Sequence, residues 1–150
     1  MKSEPSAYSI KDLLKEEETL WDGIRNYQAR NFMRAMKIGD QAFFYHSNCK
    51  PPGIVGLMEV TATQIIDPSQ FDKNSKYFDP KATPENPRWV MVDIEPVSQL
   101  ESVGLPDLRA NGDLEGMPLL QRGQRLSVQP VSEKHFRIVC AMGGLDSLED

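Results

Sequence analysis

Two cysteines, two histidines and the absence of a long apolar run set the first limits on this 150-residue chain. Cys49 and Cys140 are far apart and build no disulfide framework, which points to a reducing, intracellular compartment. No stretch approaches the ~20 apolar residues of a membrane span, and Met1–Pro5 is already polar, so no signal peptide is read there. A soluble protein is expected, cytoplasmic in a bacterium or nuclear in a eukaryote. His46 and Cys49 are three apart, but a zinc site takes about four ligands and the others are missing. Neither metal nor cofactor is expected. G-x-S-x-G, P-loop and G-x-G-x-x-G motifs are absent. A Cys49–His46 nucleophile would need an activated thiol, and no spacing singles out a catalytic carboxylate pair. Nothing here marks an enzyme. The net charge of −5 excludes a broad basic coat for nucleic acid, while leaving room for a small basic site.

What is present is concentrated in Trp21–Asp40, WDGIRNYQARNFMRAMKIGD. Ala29, Phe32, Met33 and Met36 recur at helical spacing and predict a buried stripe on a helix from about Tyr27 to Lys37. Arg30, Arg34 and Lys37 form a second, basic stripe on that helix. The Trp21-Asp22-Gly23 turn precedes it. Arg25, Asn26, Tyr27 and Gln28 then bring planar and hydrogen-bonding groups together.

Along the chain, Ser9 and Asp12 predict a capped short helix carrying Leu13 and Leu14. Met1–Pro5 reads as a strand end or a loop, and Glu16-Glu17-Glu18 as a solvated face. Gly39-Asp40 stops the central helix. Strands are predicted over 41–47 and 54–66, with Gly56 marking a bulge or a close backbone approach. Asp67–Pro87 is a long, proline-rich surface excursion. Arg88–Val97 alternates as a strand, short helical pieces fill 103–120, and 125–131 reads as a last strand. Ser132 caps a closing helix with Phe136, Val139 and Cys140 turned inward. Residues 1–145 read as one domain and 146–150 as an acidic tail. The order favours an α+β fold on a strongly curved, mostly antiparallel sheet.

The best functional signal is for binding. Trp21, Tyr27, Tyr45, Tyr77 and Trp89 offer stacking faces. Arg25, Asn26, Gln28, Asn31, His46 and Ser47 can read the edges of a planar ligand. Stacking combined with edge hydrogen bonds is how proteins hold an unstacked base, at roughly 1–3 kcal/mol per stack. Trp21, Trp89 and Tyr45 each read as core positions ahead of stacking faces, and the basic stripe reads equally as a solvated helix face.

KSEP at 2–5, YS at 8–9, WDGIRNYQARNFMRAMKIGD at 21–40 and FFYHS at 43–47 together resemble the EVE domain family. SKYFDP at 75–80, PRWVMVDI at 87–94 and RLSVQPVS at 125–132 continue the likeness in order. The resemblance implies a PUA-like fold, a curved β pseudo-barrel flanked by short helices. It implies a non-enzymatic module that accepts a modified base, with modified cytosine such as 5-methylcytosine in DNA as the leading ligand and RNA as the alternative partner. By the same resemblance the pocket draws on Lys2, Ser3, Glu4, Trp21, Asp22, Arg25, Asn26, His46 and Ser47. Arg30, Arg34 and Lys37 become phosphate contacts, which position without specifying. Family members carry a tryptophan-bearing strand ahead of KSEP, whereas this sequence starts at Met1-Lys2. A monomer is favoured. The rival reading is an enzyme acting on a nucleotide or a modified nucleoside, as in other PUA-like families; a peptide-binding domain is a third.

Overall fold

The computed structural model describes residues 1–123 and 125–145; the acidic tail at 146–150 lies outside them. The chain runs β1 (Lys2–Ser3), α1 (Ile10–Glu16), β2 (Thr19–Trp21), α2 (Tyr27–Arg34), β3 (Gln41–His46) and β4 (Gly53–Ile66). After a 3₁₀ turn at Pro68–Phe71 come β5 (Val90–Gly104), α3 (Leu105–Ala110), two further 3₁₀ turns and α4 (Glu133–Met142).

Capping sets the helix starts. The Ser9 hydroxyl accepts from the Asp12 N–H, and the Asp12 carboxylate accepts from the Ser9 N–H at 2.8 Å, a reciprocal capping box. Asn26 Oδ1 caps α2 by accepting from the Ala29 N–H at 3.0 Å, and the Ser132 hydroxyl caps α4. Helix α2 stops at Arg34, short of the expected Lys37. The Asp40 carboxylate takes the Lys37 N–H at 2.9 Å, so the stop signal acts one turn earlier and removes Lys37 from the helical basic stripe.

The sheet order is β1-β3-β4-β5-β2, with β1 parallel to β3 and every other pair antiparallel. Register shifts between β4 and β5, and between Phe44 and Tyr45 of β3, are bulges that bend the strands. Gly56 lies at one of them. A Cβ there would sit 2.5 Å from Ile10 Cδ1, so both the bulge and the close approach occur. The strands β1 and β2 are the two sheet edges and do not pair with each other among the described residues. The PUA-like pseudo-barrel is therefore open along this seam.

The predicted last strand at 125–131 is not a strand. Its segment lies beside β1 through one backbone bond, Lys2 N–H to the Ser127 carbonyl at 2.8 Å. Gln129 Nε2 donates to the Leu126 carbonyl at 2.7 Å and folds the stretch on itself, leaving no ladder to extend. Its apolar pattern still marks burial correctly at Val128.

Both faces of the sheet are covered. Phe44, Met58, Val60, Val92 and Ile94 pack with Ile10 and Leu13 of α1 and with Ala29 and Met33 of α2. Phe43, Tyr45, Ile54, Leu57 and Leu100 pack on the opposite side with Leu108 of α3 and with Val139 and Cys140 of α4. Double-sided burial explains why Phe43–Tyr45 and 54–58 read as near-continuous apolar runs instead of alternating. Tyr45 is a core residue on this evidence of packing, not a stacking face.

Candidate functional site

An open pocket of about 660 Å³ lies at the seam, within the size range of small-ligand sites. One wall is Lys2 and Ser3 of β1 with Glu4, Ala7 and Tyr8; the other is Thr19, Leu20 and Trp21 of β2 with the Asp22-Gly23-Ile24 turn. Lys76, Tyr77 and Ser127 complete the lining. The two sheet edges therefore curl toward one cavity. Five of the sequence-predicted residues, Lys2, Ser3, Glu4, Trp21 and Asp22, meet there.

Their roles differ. Trp21 is 7% exposed and meets the Phe44 ring edge-on at 5.5 Å, so it belongs to the core and shows the pocket only a margin. Ser3 Oγ donates to the Tyr8 carbonyl at 2.6 Å, closing the turn that forms one wall. Glu4 Oε1 accepts from Asn48 Nδ2 at 3.0 Å. Burial lowers the Lys2 pKa. Asp22 titrates above its ordinary range, because partial desolvation and the nearby Asp67 charge both oppose its ionisation.

Arg25 is not a pocket-lining residue; it is the brace behind the pocket. Its Nε donates to the Tyr77 carbonyl at 2.8 Å, Nη1 to the Ile24 carbonyl and to Asp67 Oδ2 at 3.2 Å, and Nη2 to Ser69 Oγ at 3.0 Å. Asp67 is 1% exposed. It accepts further bonds from the Gly23 N–H at 3.0 Å and from the Ser69 N–H and hydroxyl. Burial alone would raise the Asp67 pKa, but the Ser69 and Gly23 donors and the Arg25 charge outweigh it and hold the carboxyl below its usual value. Gly23 needs its lack of a side chain. Its φ is +75°, and a Cβ would fall 2.7 Å from Tyr77 Cζ. The Tyr77 ring lies directly on the turn as a result.

The remaining predicted residues are elsewhere. Asn26 spends its side-chain oxygen on capping α2. His46 Nε2 accepts from the Ile10 N–H at 3.1 Å, capping α1, and burial lowers its pKa. Its proton is thereby assigned to Nδ1. The Ser47 backbone N–H bonds the Ser3 carbonyl at 3.0 Å, and its residue borders a separate shallow depression with Asn48, Cys49 and Lys50. Arg30 leans over the Tyr27 ring, Arg34 is exposed on α2, and Lys37 is exposed beyond the helix end.

Sequence reasoning missed Tyr8, Leu20 and Ser127 as pocket residues. Leu20 carried a usable signal, since a large apolar side chain on a three-residue edge strand remains 49% exposed. It also missed Gln70, which is fully buried. Gln70 Nε2 donates to the Asp67 and Trp89 carbonyls at 2.6 and 2.9 Å, while Oε1 accepts from the Arg88 and Trp89 N–H groups at 2.9 and 3.0 Å. This fully satisfied amide fastens the loop that carries Asp67 to the start of β5. Among the described residues no group of three His, Cys, Asp or Glu side chains could hold a metal ion, and no helix is long and apolar enough to cross a membrane.

The EVE domain family model matches residues 1–142. Thymocyte nuclear protein 1 of Homo sapiens is 43% identical over 162 residues, spanning 95% of this chain and 72% of that protein. A crystal structure of a Pseudomonas syringae protein superposes with a TM-score of 0.90 at 45% identity, covering 95% of this chain and 96% of that one. Human THYN1 protein, solved in complex with 5-methylcytosine containing DNA, superposes with a TM-score of 0.90 at 42% identity, covering 98% and 97%.

Proposed function

The chain belongs to the EVE domain family, and from that premise we propose that it is a non-enzymatic DNA-binding module that takes a modified cytosine into the seam pocket. The observation that carries this reading is the convergence of both sheet edges on one cavity lined by carboxylates, two lysines and aromatic rings, in a fold whose 42% identical relative was solved with 5-methylcytosine containing DNA. A cytosine edge offers an N4 amino donor and acceptors at N3 and O2. Asp22 or Glu4 accepts from the amino group, as carboxylates do from cytosine N4, and Lys2 donates to the acceptors. Tyr77 supplies a ring face, and the exposed Leu20 gives apolar contact to a C5 methyl. Arg25, Asn26, His46 and Ser47 serve this reading from behind, by holding the turn and the strand ends in place. Arg30, Arg34 and Lys37 contact the backbone.

The test is an anisotropy titration at stated salt with matched duplexes carrying 5-methylcytosine, 5-hydroxymethylcytosine, N6-methyladenine or no modification. Tightest binding to a modified cytosine is expected. Equal affinity for all four, or binding to none, overturns the reading; a preference for the same sequence as RNA moves the partner to RNA.

A further inference from the structure

Outside the pocket, three guanidiniums gather in a protein whose net charge is −5, and none has a carboxylate within 4 Å among the described residues. Arg30 and Arg34 come from α2; Arg88 comes from the approach to β5, beyond the long loop. Burial, the Arg34 charge and the Arg88 charge together lower the Arg30 pKa, which places all three cations in one field.

Two of the three are aimed. The Arg30 guanidinium lies 4.7 Å from the Tyr27 ring centroid and 5.7 Å from that of Trp89, and its Nη1 donates to the Arg88 carbonyl at 3.2 Å. Arg88 Nη1 donates to the Tyr27 hydroxyl at 2.9 Å. The Tyr27 ring rests on Trp89 at 4.9 Å. Trp89 is itself buried and fixed by donation from Nε1 to Asp79 Oδ2 at 2.8 Å. Stacking restrains Arg30 and the Tyr27 hydroxyl restrains Arg88, and neither contact neutralises the charge it holds. Like charges held together in this way raise the energy of the free protein, and an anion bound across them lowers it.

The platform also leads to the pocket. Arg25 Cζ sits 5.4 Å from the Trp89 centroid and 5.5 Å from that of Tyr77, the pocket wall. With a rise of about 3.4 Å per nucleotide of strand, the arginines stand within a few nucleotides of a base held in the seam.

We propose that Arg88, held with Arg30 at the Tyr27–Trp89 platform, extends the backbone contacts of Arg30 and Arg34 on α2 into one phosphate-binding strip for the DNA flanking the pocket, with Arg88 a direct phosphate ligand. The identity of the anion rests on the DNA-binding reading above. Planar guanidiniums suit this task because each can bond a phosphate through two donors.

The experiment measures log Kd against log salt concentration on unmodified and 5-methylcytosine duplexes for the wild type, Arg88→Gln, Arg88→Lys and the control Lys134→Gln on the opposite helix α4. Among the described residues the Arg88 side chain makes one hydrogen bond, to Tyr27, and its charge is felt by Asp79 and Arg30; a thermal melt of each variant checks that it is folded. We expect Arg88→Gln to reduce the slope by about 0.9 on both duplexes, the loss of one phosphate contact, with the modified-to-unmodified ratio unchanged. Arg88→Lys should restore most of the slope, and Lys134→Gln should match the wild type. A wild-type slope in Arg88→Gln, with the modification preference intact, overturns the strip and leaves the pocket standing. A reduced slope in a protein that shows no modification preference supports the strip and removes the pocket reading. No binding of either duplex at low salt overturns both.

Discussion

Replacing Asp67 by Asn tests the support of the pocket at its most buried point. The ionised carboxylate has one oxygen on the Gly23 N–H and Arg25 Nη1, and the other on the Ser69 N–H and hydroxyl. An asparagine keeps one acceptor and turns an NH₂ group toward the remaining donors. Removing one partner of a buried ion pair costs about 3–5 kcal/mol. The Arg25 side chain is 20% exposed, so water compensates part of its lost charge, and the low end, about 3 kcal/mol, is the expected loss. For a chain of this size that is a fall in Tm of roughly 6–12 °C. The pH dependence gives a second check. The folded pKa of Asp67 lies below its ordinary 3.8, so its contribution is fully present above that value and is lost as pH falls through the folded pKa. The stability gap between wild type and variant should therefore be constant near neutrality and close only below about pH 4. Urea unfolding at pH 7, 5, 4 and 3 measures it. A loss under about 1 kcal/mol at pH 7, the worth of one ordinary hydrogen bond, refutes the view that an ionised Asp67 holds the turn. So does a gap that stays unchanged to pH 3. The same variant frees Arg25 and with it the Tyr77 wall, so its preference for modified cytosine should weaken at temperatures where it remains folded.

Two more outcomes are expected. Gly23→Ala should lose about 1–2 kcal/mol from the left-handed backbone alone, plus the displacement of Tyr77; chemical denaturation measures the first and oligonucleotide titration the second, and a neutral substitution would contradict both. His46→Gln keeps an acceptor for the Ile10 N–H. Because burial lowers the pKa of His46 in the folded state, the wild type loses stability as pH drops below the ordinary 6.5 toward that lower value. The variant should lack this slope, and urea midpoints compared at pH 7.5 and pH 5 will show whether it does.

Much of the fold was legible because local chemistry decides it. Ser9 and Ser132 cap where side-chain oxygens precede helical runs, whereas the cap at Asn26, which reads from the sequence as a base-reading group, emerges only in the structure. The 3.6-residue stripe of Ala29 and Met33 is the buried face of α2. Apolar runs at 41–47 and 54–66 became β3 and β4 almost to the residue. Of the shortest strands, β1 reads from the sequence as either a strand end or a loop and β2 is not separated out, since two or three residues carry no period. They exist because neighbours already in the sheet offer unpaired backbone groups.

Within Trp21–Asp40 the sequence alone determined that Arg, Asn, Trp and Tyr would crowd one turn and one helix start. Only the tertiary structure decided how each is used. Arg25 finds Asp67, Ser69 and Tyr77, partners more than 40 positions away, and His46 finds Ile10 at a separation of 36. No local pattern encodes such pairings, so groups that looked equally ready to read a base divide into those consumed by the fold and those left facing the cavity. The pocket itself belongs to the second kind of fact. It is assembled from four separate segments, 2–8, 19–24, 76–77 and 127, brought together because bulged strands curl the sheet until its two outer strands, β1 and β2, face one cavity.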